Sequence, residues 1–151
     1  MNIHFAETEE ELLKCFPAVK ELDPEFQEIR FMETLKIMMG EGTKVMMIEE
    51  ENNVPTIACF RIGQYLFQGK HLHIDFILTT NEFKKQVYTK AMVNWIKDYA
   101  IQQDCDTMST DSRFHNRDAH RLYLSAGFYI FAMHFWMSLK EEDVQGLENN
   151  K

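Results

Sequence analysis

The spacing of apolar residues changes period along this chain, and that change limits it to a mixed architecture of helices and strands. From Leu12 to Met39 the apolar positions recur every three or four residues: Leu12, Leu13, Phe16 and Val19, then Phe26, Ile29, Met32, Leu35 and Met38/Met39. That is the period of an amphipathic helix. From Val45 to Thr79 the period falls to two, with polar turns at Glu51-Asn52-Asn53 and Gln68-Gly69-Lys70. This reads as three strands, 45–48, 56–67 and 71–79, the second bent at Gly63. Residues 84–104 return to the helical period: Val87/Tyr88, Ala91/Met92, Trp95/Ile96 and Tyr99/Ala100 make a wide apolar stripe.

Local signals refine the boundaries. Residues 2–7 alternate as a short opening strand. Thr8 precedes Glu9-Glu10-Glu11, a cap followed by acids that suit a helix N-terminus. Pro17 predicts a kink or early stop in that helix, and Asp23-Pro24 predicts the cap and first residue of the next. Further on, 107–114 reads as a strand, 117–126 as a short helix ended by Gly127, and 129–139 as a strongly apolar final strand. The expected order is β-α-α-β-β-β-α-β-α-β, an α/β (α+β mixed-sheet) fold. Residues 1–140 form one domain, and 141–151 form a polar tail.

Composition narrows the classes. With 151 residues and 45% apolar residues the chain has enough material for one packed core. No apolar run approaches the ~18 residues of a membrane span, and the start Met1-Asn2-Ile3-His4 is not a secretory signal. Three cysteines, Cys15, Cys59 and Cys105, without a CxxC pair, read as reduced core thiols. A cytoplasmic protein is expected, with no membrane partner. The net charge of −8 is uneven. Residues 1–53 hold 13 acidic and 5 basic side chains, and 54–140 hold 7 and 10. An acidic face repels nucleic acid and attracts amines. The basic middle can hold an anion, or the charges are simply solvated helix faces.

The run Asp111-Ser112-Arg113-Phe114-His115-Asn116-Arg117-Asp118-Ala119-His120-Arg121-Leu122-Tyr123, then Gly127-Phe128 and His134-Phe135, resembles the C-terminal signature of one branch of the GNAT N-acetyltransferase family. Residues 73–96 resemble that family's strand-turn-helix that holds acetyl-CoA. The resemblance covers 71–140 well and 1–70 by element order. It implies a GNAT acyl-CoA N-acyltransferase fold, acetyl-CoA as co-substrate, and an amine acceptor, which the acidic N-terminal half suits if cationic. It implies Tyr123 as the general acid beside the coenzyme A sulfur, though the ring can equally be a packing aromatic. Ile77, Leu78 and Thr79 match the strand end whose backbone pairs with pantetheine. Asn116 lies near a cofactor-touching position.

Asp75 shares a strand face with His71, His73 and Ile77, opposite Leu72, Ile74, Phe76 and Leu78. A carboxylate among imidazoles can act as base. It can also help to bind a metal, or be a hydrogen-bonded polar strip. His115, His120 and His134 match family positions, and His115 or His120 can sit near the acceptor. The family's phosphate loop reads Arg/Gln-x-x-Gly-x-Gly/Ala; here it is Lys84-Lys85-Gln86-Val87-Tyr88-Thr89. Val87 and Thr89 fill both small positions, and Lys84 and Lys85 can compensate with charge. The leading reading is therefore an N-acetyltransferase. The alternative is a catalytically inactive GNAT-like binding module. Phe131, Phe135, Trp136 and Met137 make the last strand apolar on both faces, which fits a homodimer surface or a buried strand.

Overall fold

A computed structural model of the chain describes residues 1–51, 53–83 and 86–139. Thr8 opens α1 (Glu9–Leu22) with a reciprocal cap. Its hydroxyl accepts from the Glu11 amide at 3.2 Å, and Glu11 Oε2 accepts from the Thr8 and Glu7 amides at 2.9 and 3.0 Å. These bonds, the Thr8 amide's first, hold the Glu11 carboxyl at a pKa of about 2.

Two helix boundaries differ from expectation. α1 continues through Pro17, which lies on its exposed side. There the Leu13 carbonyl that loses its amide partner can turn to water. Asp23 does not start the next helix. Its carboxylate accepts from the Glu25 amide at 3.1 Å, and the Phe26 amide donates to the Asp23 carbonyl at 3.0 Å. That local turn competes with helix, so Asp23 caps the end of α1 and α2 (Glu28–Gly40) begins after Gln27.

Five strands follow the order β1-β2-β3-β4-β5 in one sheet: β1 (Asn2–Phe5), β2 (Lys44–Glu50), β3 (Asn53–Tyr65), β4 (Gly69–Thr79) and β5 (Thr107–Thr110). The first four pair antiparallel, and β5 joins β4 parallel. A parallel pair needs a crossover; here it is α3 (Gln86–Gln102). α4 (Arg117–Ser125) follows β5. The sheet is covered on both faces. Val45, Met47, Ile57 and Cys59 pack against α1 and α2, whereas Met46, Ile48, Ala58 and Phe60 pack with Met92 and Ile96 of α3. β2 and β3 are thus buried on both sides, which is why they read as apolar runs. Each buried Val, Ile, Met or Phe among them contributes about 1.5–3 kcal/mol. Cys15 and Cys59 belong to the first layer as free thiols. Burial pushes Cys15 up to about 12 and raises Cys59 as well.

The turn into β4 needs its glycine. Gly69 has φ of +70°, and a Cβ there would fall 2.2 Å from Asp106 Oδ2. That oxygen accepts from the Lys70 amide at 2.8 Å, so the close approach is what joins β4 to the segment entering β5.

β4 departs from simple alternation. Cys59 pairs with Phe76, but Phe60 pairs with Ile74, leaving Asp75 as the extra residue of a bulge. The parity of side chains flips there. Leu72, Ile74 and Ile77 pack on the α3 face, while Phe76 and Leu78 pack on the α1/α2 face. The expectation that Phe76 and Leu78 lie with Leu72 and Ile74 is corrected accordingly.

Two further readings change. β5 ends at Thr110 rather than 114, and Phe114 is exposed. Residues 129–139 form no strand: Tyr129, Ile130, Phe131, Met133, Phe135, Trp136, Met137 and Leu139 are all exposed, between 67% and 90%. The strand reading rested on apolarity, which requires cover but does not say which surface supplies it. The acidic tail from 141 lies outside the described residues. An exposed apolar run of this length, in a chain whose β5 edge has no strand neighbour among the described residues, predicts association of the chain with itself. Sedimentation equilibrium is expected to return twice the chain mass, and Phe135→Ser with Trp136→Ser to return the single mass. A monomeric parent chain would contradict this.

Candidate active site

β4 and β5 separate at the bulge. Their pairing runs from His71–Thr107 to Ile74–Thr110 and stops. Beyond it, the β4 arm from Asp75 to Thr79 keeps β3 on one side and, among the described residues, has no strand on the other. Backbone donors and acceptors on that free edge are available to an extended ligand. Ile77, Leu78 and Thr79 lie on this arm, which leads through a short 3-10 turn (Asn81–Phe83) towards the N-terminus of α3. The first-turn amides of a helix have no partner within it and favour an anion. An open strand edge that runs into a helix N-terminus therefore suits a ligand with an extended amide-bearing arm and a diphosphate, the chemistry of coenzyme A.

The first turn of α3 is locked to the sheet. Thr79 Oγ1 lies 2.9 Å from both Thr56 Oγ1 and Thr89 Oγ1. Thr89, in a position where the resemblance expects a small residue, is thus turned inward to β4. The Tyr88 hydroxyl donates to Glu50 Oε2 across the sheet, and that bond raises the phenol pKa. Val87 is the exposed residue of this turn, at 54%. Gln86 is the first residue of α3, while Lys84 and Lys85 lie outside the described residues.

Tyr123 stands at the vertex of the separation. It is half-buried on α4, with its hydroxyl near the side chain of Thr110, the last β5 residue to pair with β4; the buried Thr110 Oγ1 has no hydrogen-bond partner among the described residues. Burial raises its pKa, against a smaller lowering from Thr110, so the phenol keeps its proton at neutral pH. Helix ends hold it in place. Asn116 caps α4, its Oδ1 accepting from the Ala119 amide at 3.2 Å. At the other end Gly127, with φ of +95°, allows the Phe128 amide to reach the Tyr123 carbonyl at 3.0 Å and its own amide to reach Leu124 at 3.2 Å. This pair of bonds brings the Tyr123 and Phe128 rings to 5.6 Å.

Asp75 is occupied. Arg61 Nη2 donates to its Oδ1 at 2.6 Å, and Nε lies 3.1 and 3.3 Å from the two oxygens. The pairing raises the Arg61 pKa. A carboxylate in such a two-point pair must give up part of it to accept a proton, so Asp75 is a charge partner of Arg61 before it is a base. The polar strip instead continues through Ser109, whose Oγ lies 2.8 Å from His71 Nε2 and 2.9 Å from His73 Nδ1. His71 Nδ1 meets Thr107 Oγ1 at 2.7 Å, and burial, then the nearby His73, lowers the His71 pKa. His73 Nε2 lies 4.0 Å from Asp75 and 3.9 Å from Asp111. Asp111 in turn meets His134 at 3.1 Å. His120 Nε2 contacts the Arg113 carbonyl at 3.0 Å and so ties α4 to the loop before it; His115 is exposed in that loop. Among the described residues no three His, Cys, Asp or Glu side chains converge as a metal set.

Sequence reasoning missed Arg61, Thr89 as a strut, and Ser109 as the link between the two imidazoles. Arg61 faces His73 in the β3–β4 register, and Ser109 faces it from β5. A strand pairing diagram would have placed both beside Asp75, but alternation within single strands does not supply the register.

The comparisons with known proteins agree with this fold. The chain is 24% identical over 125 residues to the uncharacterized N-acetyltransferase YhdJ of Bacillus subtilis (strain 168), covering 82% of this chain and 88% of that protein. Its fold is that of a transcriptional regulator from Bacillus halodurans C-125, with a TM-score of 0.81 at 17% identity over 91% and 99% of the two chains. It also matches AAC(6')-Iy in complex with a bisubstrate analogue, CoA-S-monomethyl-acetylneamine, with a TM-score of 0.77 at 12% identity over 92% and 97%. The sequence model of the acetyltransferase (GNAT) family matches residues 5–128, and the chain belongs to that family.

Proposed function

We propose that the chain transfers an acetyl group from acetyl-CoA to an amine. The observation that carries this reading is the separation of β4 from β5 with the Tyr123 hydroxyl at its vertex. Acetyl-CoA lies with its pantetheine arm along the free edge at Ile77, Leu78 and Thr79. Its diphosphate meets the first-turn amides at Gln86, Val87, Tyr88 and Thr89, with Lys84 and Lys85 supplying charge and Asn116 closing the far side. Thr89 leaves the amides clear because its hydroxyl is bonded inward to Thr79. The amine nitrogen attacks the thioester carbonyl carbon, the C–S bond breaks, and the leaving thiolate takes the Tyr123 proton. The proton lost by the amine passes to His73 Nε2, with Asp75 and Asp111 stabilising the imidazolium formed. Asp75 thus acts by charge, held in place by Arg61. Transfer of this kind uses a cytoplasmic acyl donor, which accords with the free thiols Cys15 and Cys59.

A second reading, a binding module without turnover, is favoured by one observation. Val87 puts a β-branched side chain at the exposed first turn of α3, where a diphosphate would approach. Calorimetric titration with acetyl-CoA at low ionic strength separates the two. Micromolar one-to-one binding is expected; absence of heat up to millimolar ligand would support the module and contradict the enzyme. For the chemical step, Tyr123→Phe keeps the ring against Phe128 and removes only the proton donor. Turnover is expected to fall about 10²-fold with acetyl-CoA affinity unchanged. Equal turnover in the two proteins would remove Tyr123 from the mechanism.

A further inference from the structure

Beside the polar strip, on the same face of the sheet, lies a cleft of about 220 Å³ between the α1–α2 hairpin and the free arm of β4. Leu22, Phe26 and Met38 form its outer wall, and Phe76 and Leu78 form its floor. Its one hydroxyl-bearing wall residue is Thr34. The bulge puts the Phe76 ring on the same face as its neighbour Asp75, so the floor of the cleft adjoins the Asp75–His73 pair.

We infer that the acceptor is an amphiphilic amine, an ammonium group on an aryl or medium alkyl arm, with the arm in this cleft and the nitrogen at His73. This rests on the acetyl-transfer reading above and adds the substrate class to it. Size, polarity and charge all bear on the choice. An apolar cavity of about 150 Å³ holds a benzene ring, so a cleft of about 220 Å³ holds a ring with a short linker. Its walls offer an ordinary polyamine or sugar almost no hydrogen-bond partners, and burying such groups there without partners is costly. The rim argues for a cation rather than for the acyl chain of a longer thioester. Glu21, Asp23, Glu25 and Glu28 surround Leu22 and Phe26 in the chain, against Lys20 and Arg30. Both cations already lie over aromatic rings, Lys20 over Phe16 at 5.8 Å and Arg30 over Phe26 at 5.4 Å. The chain around the cleft is therefore net acidic, with Glu21 also accepting from the Asn81 amide, and this charge draws in an ammonium group and opposes a coenzyme-bound chain that brings negative charge with it.

The test is a matched panel of ethylamine, hexylamine, 2-phenylethylamine and spermidine, assayed with acetyl-CoA for coenzyme A release and separately by calorimetry for binding. Both 2-phenylethylamine and hexylamine are expected to exceed ethylamine and spermidine at least tenfold in kcat/KM and in affinity. Thr34→Trp, a change at an exposed helix position that fills the cleft, is expected to bring them down to ethylamine's level. Retention of the melting temperature shows that this variant folds. Equal rates and affinities across the panel would overturn the inference, as would a preference for spermidine or an apolar gain untouched by Thr34→Trp. A preference for octanoyl-CoA over acetyl-CoA that Thr34→Trp abolishes would assign the cleft to the acyl chain and overturn it too. Cleft-dependent binding of 2-phenylethylamine without transfer would uphold the ligand class while contradicting the acetyl-transfer reading.

Discussion

One inserted residue in β4 organises the functional half of this molecule. At Asp75 the β3–β4 ladder takes an extra residue, and every side chain beyond it changes face. Before the bulge β4 sends Leu72 and Ile74 to the α3 layer; after it, Phe76 and Leu78 go to the α1/α2 layer. The same point is where β4 leaves β5. Bulges increase local twist and re-aim a strand, and here the consequence is a strand arm with one edge paired and one edge open. The Arg61–Asp75 pair spans β3 and β4 at this point. It gives the extra residue a fixed partner in the neighbouring strand, so the register shift is held rather than free to slide.

The surrounding elements act on that opening from three sides. The threonine thread through Thr56, Thr79 and Thr89 fixes the start of α3 to the end of the arm. The caps at Asn116 and Gly127 fix α4, and with it Tyr123, at the vertex. The α1–α2 hairpin lies over Phe76 and Leu78 and makes the arm one wall of an apolar cleft. These bonds tie the arm, α3 and α4 together, and the proposed transfer depends on groups held in position before substrate arrives.

Much of this was legible in the sequence. Among the described residues, periodicity and local cap and turn signals located the four helices and the five strands of the sheet, because buried faces impose their spacing on the residues that line them. The Gly127 cap and the Thr8 cap were readable from residue type alone. Several features were not. The helix through Pro17 depends on which side of α1 meets water, and the turn at Asp23 depends on a side-chain bond that competes with helix. The bulge at Asp75 depends on register between strands, which no single strand encodes. The pairing of Asp75 with Arg61 was hidden for the same reason, so the sequence left Asp75 open between base, metal ligand and polar strip, and the structure adds the ion pair with Arg61. The segment 129–139 was legible as apolar but not as uncovered, since apolarity reports a need for a partner surface without naming it.

The proposed activity requires the open edge of β4 and the first turn of α3 to be one continuous ligand site. Hydrogen exchange of the backbone amides, measured with and without acetyl-CoA, tests this most directly. Protection is expected at 76–79 and at 86–89 together, with little change in the paired segment 71–74. Protection of one stretch without the other, or of neither, would contradict the account.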